Sequence, residues 1–249
     1  MTKHVRSNSP LREKLQVAGL PAPVEVRRHP AARRMTLRVS RTRRTVIVTL
    51  PMQCDLKQAG DFLSHHVRWV RERLDHIPSA QPFEHGALIP LRGVPHEVRF
   101  RGLERGKGVV VPSTEHNGCA HLDVFGPTDM APRRLGCWLM EQCRLDVGAR
   151  VAGHAKALGL HPKRIAIRDQ VSRWGSCSST GNLSFSWRLI LAPPTILDYV
   201  AAHEVAHLRE MNHGPKFWAL VREVYPNLEE ARQWLDLYGV ELHRYGAAR

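Results

Sequence analysis

Three things are scarce in this 249-residue chain, and each shortage narrows what the chain can be. The first is long apolar sequence. No run approaches the ~20 residues that a membrane span requires. The opening MTKHVRSNSPLREKLQ carries basic residues with no apolar stretch behind them, so it does not read as a secretory signal. The second is paired cysteine: Cys54, Cys119, Cys137, Cys143 and Cys177 are odd in number and contain no CxxC. A disulfide framework and a cysteine zinc site are therefore not expected, and a cytoplasmic setting fits best. The third is acidic residues, 23 Asp and Glu against 37 Lys and Arg, for a net charge of +14.

The positive excess is concentrated at the start. Residues 1–50 hold twelve Lys and Arg against Glu13 and Glu25, a net of +10. A charge excess of this kind keeps a protein soluble, or it meets an anionic partner such as nucleic acid or a nucleotide. Arginine-rich segments attract phosphates without reading sequence. No zinc-finger spacing, RNA-binding aromatic motif or P-loop accompanies it.

The hydrophobic pattern divides the chain into three. Residues 1–22 form a mobile basic segment ending at the proline-rich LPAPV. Residues 23–127 read mainly as strands with one helix. MTLRVS and TVIVTLP alternate apolar and polar side chains across RTRR, which predicts a hairpin. DLKQAGDFLSHHVRWVRERLDHI predicts a single amphipathic helix. In residues 128–249 a long helix is stopped at Gly159, then follow a strand RIAIRD, a loop QVSRWGSCSSTGN and a strand LSFSWRLILAP. A helix is expected from Thr195 to Met211, with Pro194 at its first turn, and two more helices after it. The fold class expected is α+β.

The stretch DYVAAHEVAHLREMNHGPKFWALV carries the chemistry. His203 and His207 are four residues apart, about 40° around a helix, so both imidazoles can reach one ion. Glu204 follows the first histidine directly, which sets its carboxylate beside the ion. This is the HExxH pattern of zinc hydrolases, and a chain of this composition contains it by chance about 0.05 times. The helix around it is apolar (Ile196, Leu197, Tyr199, Val200, Ala206), so its polar groups are costly without a partner. His213 lies where Asn212, Gly214 and Pro215 end one helix and start another, and can fold back toward the first two. Three protein ligands leave the open position of a catalytic zinc site. The spacing also occurs in metzincins, but their glycine position is occupied by Glu210 and no methionine follows Met211.

A closer likeness runs through RWGSC (Arg173–Cys177), WRLI (Trp187–Ile190), DYV (Asp198–Val200), HEVAH and NHGPKFW. These residues resemble the YgjP-like metallopeptidases, a minimal gluzincin family related to the SprT-like and WLM proteases. ARRMTLRVSRTRRTVIVTLP and FLSHHVRWV also look like that family's opening strands and helix. Ser186 stands where Asn is expected, and Gly214 where Ser is usual. The resemblance implies a zincin-like helix/β-hairpin/helix core after a β-rich part. It also implies one zinc ion on His203, His207 and His213, Glu204 as general base, and hydrolase chemistry on a poorly defined substrate.

Other residues carry paired readings. Arg173 contacts a substrate carboxylate or phosphate or a developing oxyanion, or else satisfies loop carbonyls. Asp198 orients a ligand or serves the helix surface. Trp174, Trp187, Phe217 and Trp218 read as core, and His65 and His66 as ordinary. Two functions compete with a peptidase acting on polypeptide. One is a metal-dependent hydrolase of nucleotide phosphoanhydrides. The other is a nucleic-acid-binding protein with structural zinc.

Overall fold

A computed structural model of the chain describes residues 12–17, 19–20, 24–40, 45–75, 79–104, 108–115 and 118–246. Its architecture is α+β. Its contacts divide it into two units, residues 1–78 and 79–249. No described helix is long and apolar enough to cross a membrane.

In the first unit, β1 (Arg12–Leu15), β2 (Val24–Arg28), β3 (Thr36–Ser40) and β4 (Thr45–Leu50) form one sheet in the order β1-β2-β4-β3. The expected hairpin is β3 against β4, with Leu37 opposite Val48 and Val39 opposite Val46. Its RTRR turn, with Arg41, Arg43 and Arg44, lies outside the described residues. Val46, Val48 and Leu50 alternate along β4 and are buried, as period-two patterning requires. They join Val24 and Val26 under α1 (Leu56–Ser64) and α2 (Val67–Asp75), which supply Ala59, Leu63 and Val70.

The structure differs from the sequence reading here in two ways. Residues 12–15, expected to be mobile, pair with β2, and Arg28 forms an ion pair with Glu13. The single expected helix is two, because the chain breaks at His65 and His66. Their rings compete for helix carbonyls: Nδ1 of His65 lies 2.6 Å from the Asp61 oxygen, and Nδ1 of His66 lies 2.7 Å from that of Phe62.

In the second unit, β5 (Leu88–Leu91), β6 (Val94–Gly102), β7 (Val110–Thr114) and β8 (Ala120–Phe125) order as β5-β6-β8-β7. The long helix α3 (Ala131–Leu158) ends at Gly159, which takes the left-handed conformation (φ 64°) expected of a stop. Leu135, Leu139, Cys143, Val147, Val151 and Ala155 recur every four residues as its buried stripe. Ile89, Val98, Leu122 and Val124 belong to the same core. The strands of residues 79–127 therefore belong with the helices, and the boundary falls at 78/79 instead of the expected 127/128. The apolar faces of those strands have α3 to bury against, which a change of local pattern cannot reveal.

Strands β9 (Arg164–Arg168), β10 (Gly175–Cys177) and β11 (Asn182–Ser186) make a three-stranded sheet in the order β10-β11-β9. The sequence reading placed β10 inside a loop and extended β11 too far; after Ser186 the chain turns into a buried 3-10 segment, Trp187–Leu191. Then come α4 (Pro194–Ala206), α5 (Pro215–Val224), α6 (Leu228–Tyr238) and a 3-10 segment, Gly239–Arg244.

The start of α4 is pinned by the turn between β5 and β6. Arg92 has a positive φ (51°), stabilised by a two-pronged ion pair with Asp146 of α3 (2.8 Å each). Its amide donates to the Ile190 carbonyl at 2.7 Å. Gly93 passes so close to Pro193 that a Cβ there would sit 3.1 Å from its Cα.

Candidate metal centre

Helix α4 is buried nearly all round, with Pro194 in its first turn and, apart from Tyr199 and Glu204, small or apolar residues on its buried surface. It ends at Ala206, short of the expected Met211. The amides of Leu208 and Arg209 bond back three residues, to Val205 and Ala206, and tighten the last turn. His207 keeps helical dihedrals (φ −63°, ψ −18°), so it stays one turn from His203. The early stop lets the following loop return His213 to the same point.

The three imidazoles converge. His203 and His207 have ring centroids 4.9 Å apart, His203 and His213 5.0 Å, and His207 and His213 4.7 Å. Nε2 of His213 lies 3.0 Å from Nε2 of His203, and one ring nitrogen from each histidine falls within 4.8 Å of the others. Tetrahedral zinc, with nitrogen bonds of about 2.0–2.1 Å, needs ligands roughly 3.3 Å apart. Nδ1 of His207 donates to the Glu210 carbonyl (3.0 Å), which leaves Nε2 with its lone pair toward the cluster. Among the described residues, these three form the one group of His, Cys, Asp or Glu placed to hold a metal ion.

Phe217 of α5 is the platform for this arrangement. It is fully buried, its ring stacks on His207 at 4.4 Å, and it meets both His203 and His213 edge-on at 4.8 Å. Burial and the neighbouring histidines push the pKa of His203 down to about 3; burial also lowers that of His207. Neutral imidazole is the form that binds metal.

Glu204 does not join the cluster. Its side chain is buried and aimed at β10, with one oxygen, Oε2, lacking any hydrogen-bond partner among the described residues. Burial pushes its carboxyl pKa up to about 8, and the positive charge of Arg173 pulls the other way. A cation on the histidines would act in the same direction as Arg173. Gly175 faces the carboxyl group so closely that a Cβ there would meet the Glu204 Cγ and Oε1 at 2.5 Å. The glycine of RWGSC thus serves close approach, since its φ is not in the left-handed region.

The remaining candidates are placed differently. Arg173 is exposed at the entry to β10. Asp198 faces away from the histidines; it bonds His154 (2.7 Å) and pairs with Arg150 (3.7 Å), tying α4 to α3. Its position one turn and a residue before His203 put it on the helix's other side, so the ligand-orienting reading is not supported. Cys177 is half-buried, and burial and Glu204 raise its pKa, which leaves it a poor nucleophile. Trp187 and Phe217 are buried; Trp174 and Trp218 pack against the core from its margin. The sequence reading missed Phe217 as the support of the histidines and Gly175 as the contact of Glu204. Gly175, the first residue of β10, stands between Trp174 and Ser176, which was the available signal for the second.

No curated protein matches the chain. A solved structure, the crystal structure of the metallopeptidase zymogen of Pyrococcus abyssi abylysin, is 23% identical, with a TM-score of 0.35, covering 41% of this chain and 99% of that one. The family model described as YgjP-like, metallopeptidase domain, matches residues 33–238, and the chain belongs to that family.

Proposed function

We propose that this protein is a zinc-dependent peptidase, with His203, His207 and His213 holding one ion and Glu204 serving as general base. The observation that carries this reading is the convergence of three imidazoles beside a buried carboxyl group that stands apart from them. Three nitrogen donors, with no fourth side chain beside them among the described residues, suit zinc in an open, catalytic site. Bound there, zinc would supply a Lewis acid that acidifies water and polarises the attacked carbonyl. Glu204 takes the proton of the attacking water on its unpartnered oxygen and returns it to the leaving amine. Gly175 keeps β10 against that carboxylate and fixes its position. Arg173 adds positive charge at the cleft edge, where substrate or developing negative charge gathers.

The test is a comparison of substrates on purified, zinc-loaded protein. The expected result is cleavage of unfolded polypeptide that a chelator stops and zinc restores, with nucleoside triphosphates left intact. Triphosphate hydrolysis with polypeptide untouched would replace this reading with the phosphoanhydride one. Full zinc occupancy with neither reaction would favour a structural ion.

A further inference from the structure

An open concavity of the second unit lies beside this site, on the three-stranded sheet, with a volume of about 710 Å³. Side chains alternate across a sheet. In β9, Ile165 and Ile167 pack toward the core, so Arg164, Ala166 and Arg168 face outward. The register sets Asn182 beside Arg164, and Ser184 between Ala166 and Ser176. Arg173 closes the end nearest Glu204.

Three features of this groove point to a ligand. First, it is lined by three arginines and no acidic residue. No side chain of Arg164, Arg168 or Arg173 forms an ion pair or hydrogen bond with a described residue, whereas those of Arg92, Arg99, Arg101, Arg144 and Arg188 each reach a carboxylate. Second, the remaining polar lining is of hydroxyl and amide groups, the donors that complete carboxylate binding. Third, the groove reaches the catalytic side of the sheet: Arg173 and Cys177 line it, and both lie within the electrostatic reach of Glu204.

We propose that this groove is an exosite that captures an acidic, unfolded segment of the polypeptide substrate. The proposal rests on the peptidase reading above and adds the chemical class of the substrate. Arg164 and Arg168 are four residues apart on one strand, roughly 13 Å, so they engage separate acidic side chains of an extended chain. That chain then passes Arg173 at the edge strand β10, which brings its continuation to Glu204. Single-stranded nucleic acid fits less well, because it is gripped by stacking on aromatic rings and no aromatic side chain lines the groove.

The test measures binding apart from turnover. Full-length, zinc-loaded Glu204→Gln protein is titrated into a labelled extended peptide rich in Glu, and into its Gln counterpart, at physiological salt. The acidic peptide should bind on the order of tenfold tighter. Arg164→Gln with Arg168→Gln should bring the preference to within about twofold, while Arg144→Gln with Arg222→Gln, which removes equal charge elsewhere, should preserve it. All four arginines are exposed, and thermal melting verifies that both double variants fold. Equal binding of the two peptides, or equal loss in the two double variants, would overturn the exosite. An oligonucleotide that binds more tightly than the acidic peptide through Arg164 and Arg168 would assign the groove to nucleic acid. Wild-type cleavage of unfolded polypeptides with and without an acidic segment is followed in parallel. Cleavage of neither would sink the peptidase reading, whereas equal cleavage of both would sink the exosite alone.

Discussion

His65 and His66 in the first unit and His203, His207 and His213 in the second show how little residue type decides. Both groups occur in helical sequence with apolar neighbours. In the first, both Nδ1 atoms are used on carbonyls of their own helix, and the effect is a break between α1 and α2. In the second, His207 uses Nδ1 on a carbonyl beyond the helix end, which turns Nε2 inward. The rings are also held from outside: Phe217 packs against all three. A histidine cluster becomes a candidate metal centre when its ring nitrogens are turned toward one another, as the Nδ1 bond of His207 does for that ring, and its rings are packed from behind.

The sharpest break in this comparison is removal of a converging histidine. His203→Ala, His207→Ala or His213→Ala should each reduce zinc content severely and lower hydrolysis on the order of 10³-fold or beyond detection. Elemental analysis and activity check this; undiminished zinc in His213→Ala would remove it from the ligand set. Next in size is Glu204→Gln, which keeps the shape of the side chain and removes the proton acceptor. Zinc and fold should be retained while hydrolysis falls on the order of 10²-fold or more. Loss of zinc in this variant would make Glu204 a ligand.

Much of this was legible in the sequence because its causes are local. The 3.6-residue period places His203 and His207 on one face, Gly159 stops α3 where a left-handed residue is needed, and alternation in TVIVTLP sets the buried face of β4. What was not legible depends on distant partners. Residues 79–127 join the helical unit because α3 offers them an apolar surface. Asp198 turns to His154 and Arg150, which are distant in sequence. The early end of α4 lies in the three-residue bonds of the Leu208 and Arg209 amides, a tightening that periodicity does not register.

Gly175→Ala probes a contact that no spacing rule contains. The added methyl would overlap Glu204 at 2.5 Å and displace the carboxylate. Zinc should be retained, and activity should fall on the order of ten- to a hundredfold from misplacement of the base. Kinetics paired with metal analysis measure it. Wild-type activity would mean that β10 yields without cost.

Acid should separate the buried histidines of the second unit from exposed ones. Burial and the neighbouring Arg188 hold the pKa of His243 down to about 4. The unfolded chain, with an ordinary value near 6.5, binds the proton more readily between those two values. Stability from this group is therefore complete above about pH 6.5 and declines as pH falls toward 4, by about 1.4 kcal/mol at most for each unit of displacement. Melting of the metal-free protein from pH 7 to pH 4 should show this decline, and His243→Gln should make it shallower, leaving the part due to His203 and His207. An identical pH profile in the variant would assign acid sensitivity elsewhere.

The smallest effect belongs to the histidines that do not converge. His65→Ala and His66→Ala each remove one ring-to-carbonyl bond, and His66→Ala also removes the ring contact with Phe62 at 4.5 Å. A hydrogen bond of this kind contributes about 0.5–1.5 kcal/mol. His65 is exposed and His66 half-buried, so the losses should lie near the lower end, with His66→Ala the larger. Alanine is also the better helix former, so part of the loss is offset where the chain at 65–66 can continue the helix. Thermal melting should therefore shift only slightly, while zinc content and hydrolysis stay at wild-type levels. A loss of zinc in either variant would overturn the reading of these two histidines as ordinary. It would dissolve the contrast between histidines that end a helix and histidines that hold an ion.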